Sequence, residues 1–174
     1  AAELEKMRKA AAISAAALKA GGEAIEPGIT TAEIDKIIYD FIVRHGARPN
    51  FLHLYGFPAT ACISVNDTVI HGIPSRDQKI RPGDIVSIDT GCKIDGFNGD
   101  NACTLACGKL DLEAQRLLDV TKESLHLGIA AAQAGARVGD IGHAVQSYVE
   151  ENGFSVVREY VGHGVGKELH EDPE

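Results

Sequence analysis

Two segments of this sequence have the same helical pattern, and this internal repeat restricts the fold more than any other feature. Residues 18–46 align with residues 125–153 at an offset of 107 positions, without a gap. The matching positions are Leu18 and Leu125, Gly28 and Gly135, Ile34 and Ile141, Ile38 and Val145, Phe41 and Tyr148, Ile42 and Val149, and Gly46 and Gly153. The repeat predicts two related halves, each with two helices followed by strands.

The first half is expected to begin with two helices. Residues 3–26 have an Ala-rich amphipathic pattern that ends at Pro27-Gly28. Thr31 is in the position of an N-cap for a second helix, and Gly46 is in the position that ends it. In the second half, a helical pattern from Glu113 to Ala134 is followed by the amphipathic stretch VGDIGHAVQSYVEENG.

Two hairpins are expected after the first helix pair. The stretch ACISVNDTVIHGIP has the pattern of a hairpin with Asn66-Asp67 at its turn. The stretch DIVSIDTGCKIDGFNGDNACTLACGKL has the pattern of a second hairpin, with Asp95-Gly96 at its turn.

The repeat also divides the chain. The first half covers about residues 10–107, and the second covers about residues 117–174. Glu174 corresponds to Asp67, and residues 68–107 have no counterpart in the second half. We therefore expect residues 1–174 to form a single domain whose second half lacks its C-terminal part.

The second hairpin brings two carboxylates together. A two-residue turn at Asp95-Gly96 places Asp89 opposite Ala102 and makes Asp100 a diagonal neighbour on the same face, with Cα atoms roughly 7–8 Å apart. Strands disfavour Asp, and like charges this close require a shared proton or a cation. The pair is suited to one or two divalent metals. A glycosidase-like acid–base pair or a solvated surface is the alternative.

Three histidines lie in patterns typical of functional sites. His71 follows an apolar strand in VIHGIP, and strand ends often carry site residues, although a structural histidine fits equally well. His163 lies in GHGVG, where the glycines allow close approach of backbone to a metal or substrate, or form a flexible loop. The seven-residue spacing from His163 to His170 does not by itself indicate a site.

Composition restricts the partners. The formal net charge is −8 and no basic run is present, so neither nucleic acid nor a membrane is an expected partner. Four cysteines without a C-x-x-C pair indicate buried thiols in a reducing compartment. No apolar run has membrane-spanning length, and we expect a cytoplasmic protein.

The motifs NDTVIHGIPS, GDIVSIDTGCKIDGFNGD and GHGVGKELHEDP together resemble the type I methionine aminopeptidases. The resemblance extends to LEKMRKA and PGITTAEID near the start. It implies an α+β fold of the pita-bread type, with two pseudo-symmetric halves of helices and antiparallel strands and a truncated second half. The second and third motifs also fit proline-specific peptidases of this fold, and NDTVIHGIP favours the methionine aminopeptidases.

The resemblance implies a dinuclear site with two divalent ions, which could be Co, Mn, Fe or Zn. It implies that Asp89, Asp100 and His163 bind the metals, with Asp100 bridging them. It further implies that His71 contacts the substrate near the new amine and that His170 contacts it near the scissile carbonyl, both as catalytic residues. Two glutamate ligands, one of them the general base, are expected beyond Glu174, so the chain alone is expected to hydrolyse poorly.

Substrate preference follows less directly from the resemblance. Phe57 and Cys62 occupy positions that match the pocket for the methionine side chain. Phe51, Leu54 and Leu169 differ from the residues usual at their positions, which leaves the preference of the pocket open.

The implied activity is removal of the N-terminal methionine from nascent polypeptides near the ribosome, by a monomeric enzyme. A proline-specific aminopeptidase or dipeptidase of the same fold is one alternative. A binding module that keeps the fold without the chemistry is another.

Overall fold

The computed structural model describes residues 1–174. Its elements are α1 (Ala2–Glu23), α2 (Thr31–Arg44), β1 (Arg48–Pro49), a 3₁₀ turn (Leu54–Gly56), β2 (Ala61–Val65), β3 (Ile85–Ile94), β4 (Phe97–Ala106), α3 (Leu112–Ala131) and α4 (Val138–Glu151). The chain forms two compact units. The first unit comprises Ala1–Leu110 with Val165–Glu171, and the second comprises Asp111–Gly164 with Asp172–Glu174.

The β3–β4 hairpin has the predicted turn and register. Asp95 and Gly96 have φ values of 52° and 84°, and two positive φ angles are what a tight type I′ turn requires. Asp89 pairs with Ala102, and Asp100 pairs with Gly91. The two aspartates are therefore diagonal neighbours on one face, as predicted.

β3 is the central strand of the antiparallel sheet. β4 pairs with one edge of β3, while β2 and β1 pair end to end along the other edge, opposite Val86–Thr90 and Cys92–Lys93 respectively. One face of the sheet is covered by α1 and α2, and the core lies there. Its fully buried members include Ala17, Ile34, Ile38, Ile42, Ala61, Ile63, Val86, Ile88 and Cys92.

α1 approaches the sheet closely because β4 carries a glycine where the two elements cross. A Cβ atom built at Gly99 would lie 2.5 Å from the carbonyl carbon and oxygen of Ala10. The Ser14 hydroxyl donates a hydrogen bond to the Thr90 carbonyl at 2.8 Å, which satisfies a buried polar group on the same helix. A larger residue than glycine at position 99 would separate the helix from the sheet.

Two local predictions were wrong. Thr30, not Thr31, caps α2, and it forms a capping box with Glu33. Residues 68–74 form no return strand after the turn at Asn66, although Ile63 N–H donates a hydrogen bond to Gly72 O at 2.8 Å. The reason is that the chain turns towards α2, where Thr31 Oγ1 accepts a hydrogen bond from Ser75 N–H at 2.8 Å.

The second unit contains the predicted copy of the helix pair. Shifting the bounds of α2 by 107 positions reproduces those of α4. A Cβ atom at Gly21 would lie 2.7 Å from Ile38, and one at Gly128 would lie 2.9 Å from Val145, the residue corresponding to Ile38. Each helix pair therefore packs through a glycine at the same position, which confirms the helix repeat; the boundaries of the two halves stay a prediction.

Candidate metal centre

The sheet face opposite α1 and α2 carries the candidate site. Cys62, Asp89 and Ala102 form one row across β2, β3 and β4, and Gly91 and Asp100 belong to the next row. The preceding row consists of Ser64, Ser87 and Thr104, in which the hydroxyls of Ser87 and Thr104 lie 2.8 Å apart. A small, polar face of this composition leaves room for a ligand beside the carboxylates.

Cys62 shares the electrostatic environment of the carboxylate pair. Its side chain is buried, and burial is the main factor that raises the pKa of the thiol to about 12. The negative charges of Asp89, Asp100 and Asp35 raise this pKa further. Because the thiolate is the nucleophilic form of cysteine, a Cys62 thiol with this raised pKa is not a nucleophile at neutral pH.

Asp35 connects α2 to the start of β2. Its Oδ1 accepts hydrogen bonds from the backbone N–H groups of Thr60 and Ala61, at 2.9 and 2.8 Å. Burial raises the pKa of the Asp35 carboxyl above its ordinary value, while these hydrogen bonds act in the opposite direction. Ala61 immediately precedes Cys62. Asp35 therefore fixes the backbone at the start of β2, next to the residue that shares a row with Asp89 and Ala102.

Asp35→Ala is expected to lower the free energy of unfolding by about 2 kcal/mol, because two buried N–H groups lose their acceptor. Asp35→Asn keeps an Oδ1 acceptor and is expected to cost less.

The raised pKa of Asp35 means that the folded state binds more protons than the unfolded state, so the contribution of Asp35 to stability falls as pH rises through that pKa. Urea denaturation between pH 4 and 8 should detect this decline in the wild type and not in Asp35→Asn. Equal losses in both variants would contradict the hydrogen-bonding role.

His71 is held beside β2 by its own backbone. It has φ = 56°, in the left-handed region that non-glycine residues seldom adopt. The next residue, Gly72, lies so close to β2 that a Cβ atom would overlap the Ile63 carbonyl oxygen. Gly72 N–H also donates to Ser64 Oγ at 3.0 Å. The unusual backbone conformation of His71 and the close contact of Gly72 together place the exposed His71 at a defined point next to β2, the strand that carries Cys62.

The predicted pocket residues occupy two places. Cys62 lies beside Asp89 in the row across β2, β3 and β4. The half-buried Phe57 follows the 3₁₀ turn, where its N–H donates to Leu54 O at 2.8 Å. The Phe57 carbonyl accepts from His53 N–H at 2.8 Å, which closes this loop on itself. The pocket function of both residues stays a prediction.

The two C-terminal histidines belong to different units. His170 lies within Val165–Glu171, in the first unit, and His163 lies in the second. His163 Nδ1 is 3.0 Å from the Gly164 carbonyl oxygen, and a carbonyl can only accept, so Nδ1 carries the hydrogen. The resulting tautomer has its lone pair on Nε2, a ring nitrogen that commonly binds metals.

The donor types suit a divalent metal. No group of three or more His, Cys, Asp or Glu side chains in the chain is arranged to hold an ion. Within the first unit, however, Asp89 and Asp100 offer carboxylate oxygens from one sheet face, and hard divalent cations prefer such ligands. Mn, Fe, Co and Zn also accept mixed ligand sets in which an imidazole nitrogen accompanies carboxylate oxygens.

Sequence reasoning did not identify Asp35 or Asn98 as residues that organise this region. Asp35 lies on the same helical stripe as the buried Ile38 and Ile42, so a partner for its carboxylate could have been expected. Asn98 had no comparable signal, because its partners are 68 and 69 residues away in sequence.

Comparison with known proteins identifies the family of the chain. The model of metallopeptidase family M24 matches residues 5–174. A curated methionine aminopeptidase of Clostridium perfringens is 50% identical over 172 residues, which cover 99% of this chain and 69% of that protein. The crystal structure of the Thermotoga maritima methionine aminopeptidase superposes with a TM-score of 0.96 at 40% identity, covering 99% of this chain and 69% of that one.

A prolidase from Pyrococcus furiosus also superposes, with a TM-score of 0.85 at 25% identity over 98% of this chain and 49% of that one. The fold and the family match thus define a metallopeptidase of the pita-bread type. The chain belongs to metallopeptidase family M24, and the resemblance to methionine aminopeptidases is confirmed by relatives that match nearly its whole length. None of its helices is both long and apolar enough to cross a membrane.

Proposed function

We propose that the function of this chain is removal of the N-terminal methionine from proteins and peptides by metal-dependent hydrolysis with two divalent ions, an activity expected of a form extended to the length of its relatives. The observation that carries the proposal is the diagonal pair of Asp89 and Asp100 beside Cys62, on the sheet face that the helices leave open. Relatives named methionine aminopeptidases, 42–50% identical to this chain, support the choice of substrate.

Asp89, Asp100 and His163 would hold the metal ions, as the resemblance implies. When bound, divalent ions of this kind lower the pKa of water and provide a nucleophile at neutral pH. His170 would donate a hydrogen bond to the oxyanion that develops on the scissile carbonyl. His71 would hydrogen-bond the amine of the departing peptide, and its backbone position beside Gly72 is suited to keeping it there.

Phe57 and Cys62 would line the pocket for the methionine side chain. The Cys62 thiol is protonated, small and polarizable, and it suits contact with a thioether. We further propose that the substrates are the N-termini of nascent polypeptides near the ribosome, and that the enzyme is cytoplasmic and monomeric and binds no nucleic acid directly.

The proposal is tested by measuring release of methionine from a Met-Ala-Ser peptide with Mn²⁺, Co²⁺ or Fe²⁺ added. The 174-residue chain is compared with a version extended to the length of its relatives, since the chain spans 69% of the C. perfringens protein. We expect metal-dependent release of methionine by the extended form. No turnover by the extended form would refute the proposal, and faster cleavage of an Xaa-Pro peptide would favour the proline-specific alternative.

A further inference from the structure

The segment Val165–Glu171, which carries His170, is attached to the tip of the β3–β4 hairpin. Lys93 and Asn98 face each other across the hairpin, one pair before the last. The backbone N–H of Asn98 donates to the Gly166 carbonyl at 2.8 Å. The side-chain amide of Asn98 donates to the Gly166 and Lys167 carbonyls, both at 2.9 Å, and Lys93 Nζ donates to the Lys167 carbonyl at 2.6 Å.

The chemistry of these contacts requires an amide at position 98. Asn98 is 4% exposed, so the N–H groups of its side chain need acceptors within the protein. A carboxylate of the same shape would place a negative oxygen against two carbonyl oxygens. Alanine would leave one backbone hydrogen bond and remove both side-chain contacts.

The neighbouring ion pair cannot replace this anchor. Lys167 Nζ lies 2.9 Å from Glu3 Oε1, but both side chains are about two-thirds exposed. Exposed ion pairs contribute little to stability because water screens them. The buried contacts of Asn98 are therefore the part of this junction that fixes the segment.

The same hairpin also carries the carboxylate pair. Side chains alternate along β4, so Asn98 projects from the same face as Asp100, two residues further on. His170 follows the anchored Lys167 by three residues. One rigid element thus supplies the carboxylates and the attachment point of the histidine segment.

We propose that Asn98 is a positioning residue, which fixes the segment Val165–Glu171, and with it His170, relative to Asp89 and Asp100. The catalytic consequence rests on the proposed function, in which His170 acts on the scissile carbonyl. The anchoring itself does not depend on that function.

The test measures backbone hydrogen exchange and peptide hydrolysis in Asn98→Ala. Amides in residues 165–171 should exchange about tenfold faster or more, while those of β2 are unchanged. In the extended form, kcat for Met-Ala-Ser should fall about ten- to a hundredfold, because a misplaced catalytic group is costly, with KM within about twofold. Lys93→Met, which removes one donor from a less buried side chain, should give a smaller increase in exchange in the same segment.

Asn101→Ala is the matched control. Asn101 lies on the same strand but on the opposite face, and its amide makes a single long hydrogen bond of 3.4 Å to Ala11 O. We expect unchanged exchange in residues 165–171 and unchanged hydrolysis.

Unchanged exchange of residues 165–171 in Asn98→Ala would overturn the proposal, whatever the activity and whatever the result for Lys93→Met. Faster exchange with unchanged kcat would overturn its catalytic part. If the unmodified extended protein releases no methionine, the proposed function fails, and the exchange data still decide whether Asn98 anchors the segment.

Discussion

Asp100→Asn is expected to reduce metal-dependent release of methionine by about a thousandfold or more. Asparagine keeps the shape of the side chain but removes the charge and one oxygen ligand. Bound metals contribute several kcal/mol to charge stabilisation, and each 1.36 kcal/mol corresponds to a factor of ten in rate. Rates on Met-Ala-Ser are measured in the extended form, together with Mn²⁺ binding by calorimetry.

Asp95→Asn is the control for this experiment. Asp95 lies at the turn of the same hairpin, where Asn is favoured, and it pairs with Lys9 at 2.7 Å on the surface. The control should retain both activity and Mn²⁺ binding. An Asp100→Asn variant that cleaves the peptide at the wild-type rate would mean that the carboxylate pair is not the metal site.

Gly99→Ala is expected to lower the free energy of unfolding by about 3 kcal/mol, at the upper end of the usual cost of overpacking. The added Cβ would meet the backbone of Ala10 and Ala11 at 2.5–2.6 Å, and backbone cannot rotate away as a side chain can. Either α1 or β4 must move. Urea denaturation followed by circular dichroism measures the change. The dependence of the free energy of unfolding on urea concentration should be the same in both proteins, which would exclude a change in the unfolded state.

A glycine-to-alanine substitution at Gly142 should have the opposite effect on the free energy of unfolding. Gly142 lies within α4, and a Cβ atom there would have no neighbour within 4 Å. Alanine favours helix over glycine by roughly 0.5–1 kcal/mol, so Gly142→Ala should be stabilising. A neutral Gly99→Ala would show that the close approach of α1 is not required.

The site-bearing hairpin could be predicted because its geometry is local. A two-residue Asp95-Gly96 turn fixes every residue pair along β3 and β4, and alternation then assigns Asp89 and Asp100 to one face. The helix repeat was predictable for a similar reason, since the glycines and the apolar stripe recur at one spacing.

The remaining features depend on contacts between distant parts of the chain. The path after Gly72 is set by Thr31, which binds Ser75 across 44 residues, and no local pattern indicates this. The anchoring by Asn98 is of the same kind. Strand propensity alone predicts that the first hairpin continues to residue 74. In the structure, tertiary contacts at the start of α2 outweigh this local preference.

The pairing of β3 with β4 has a consequence for which changes the chain can tolerate. Adding or deleting one residue at the Asp95-Gly96 turn would shift β4 by one position against β3. Asp100 would then face the core, and Gly99 or Asn101 would take its place on the open face. Point substitutions at the exposed turn leave this alternation intact. The length of the hairpin is thus constrained more strictly than the identity of its turn residues, because an insertion or deletion there would take Asp100 off the open face without changing Asp100 or Asp89 themselves.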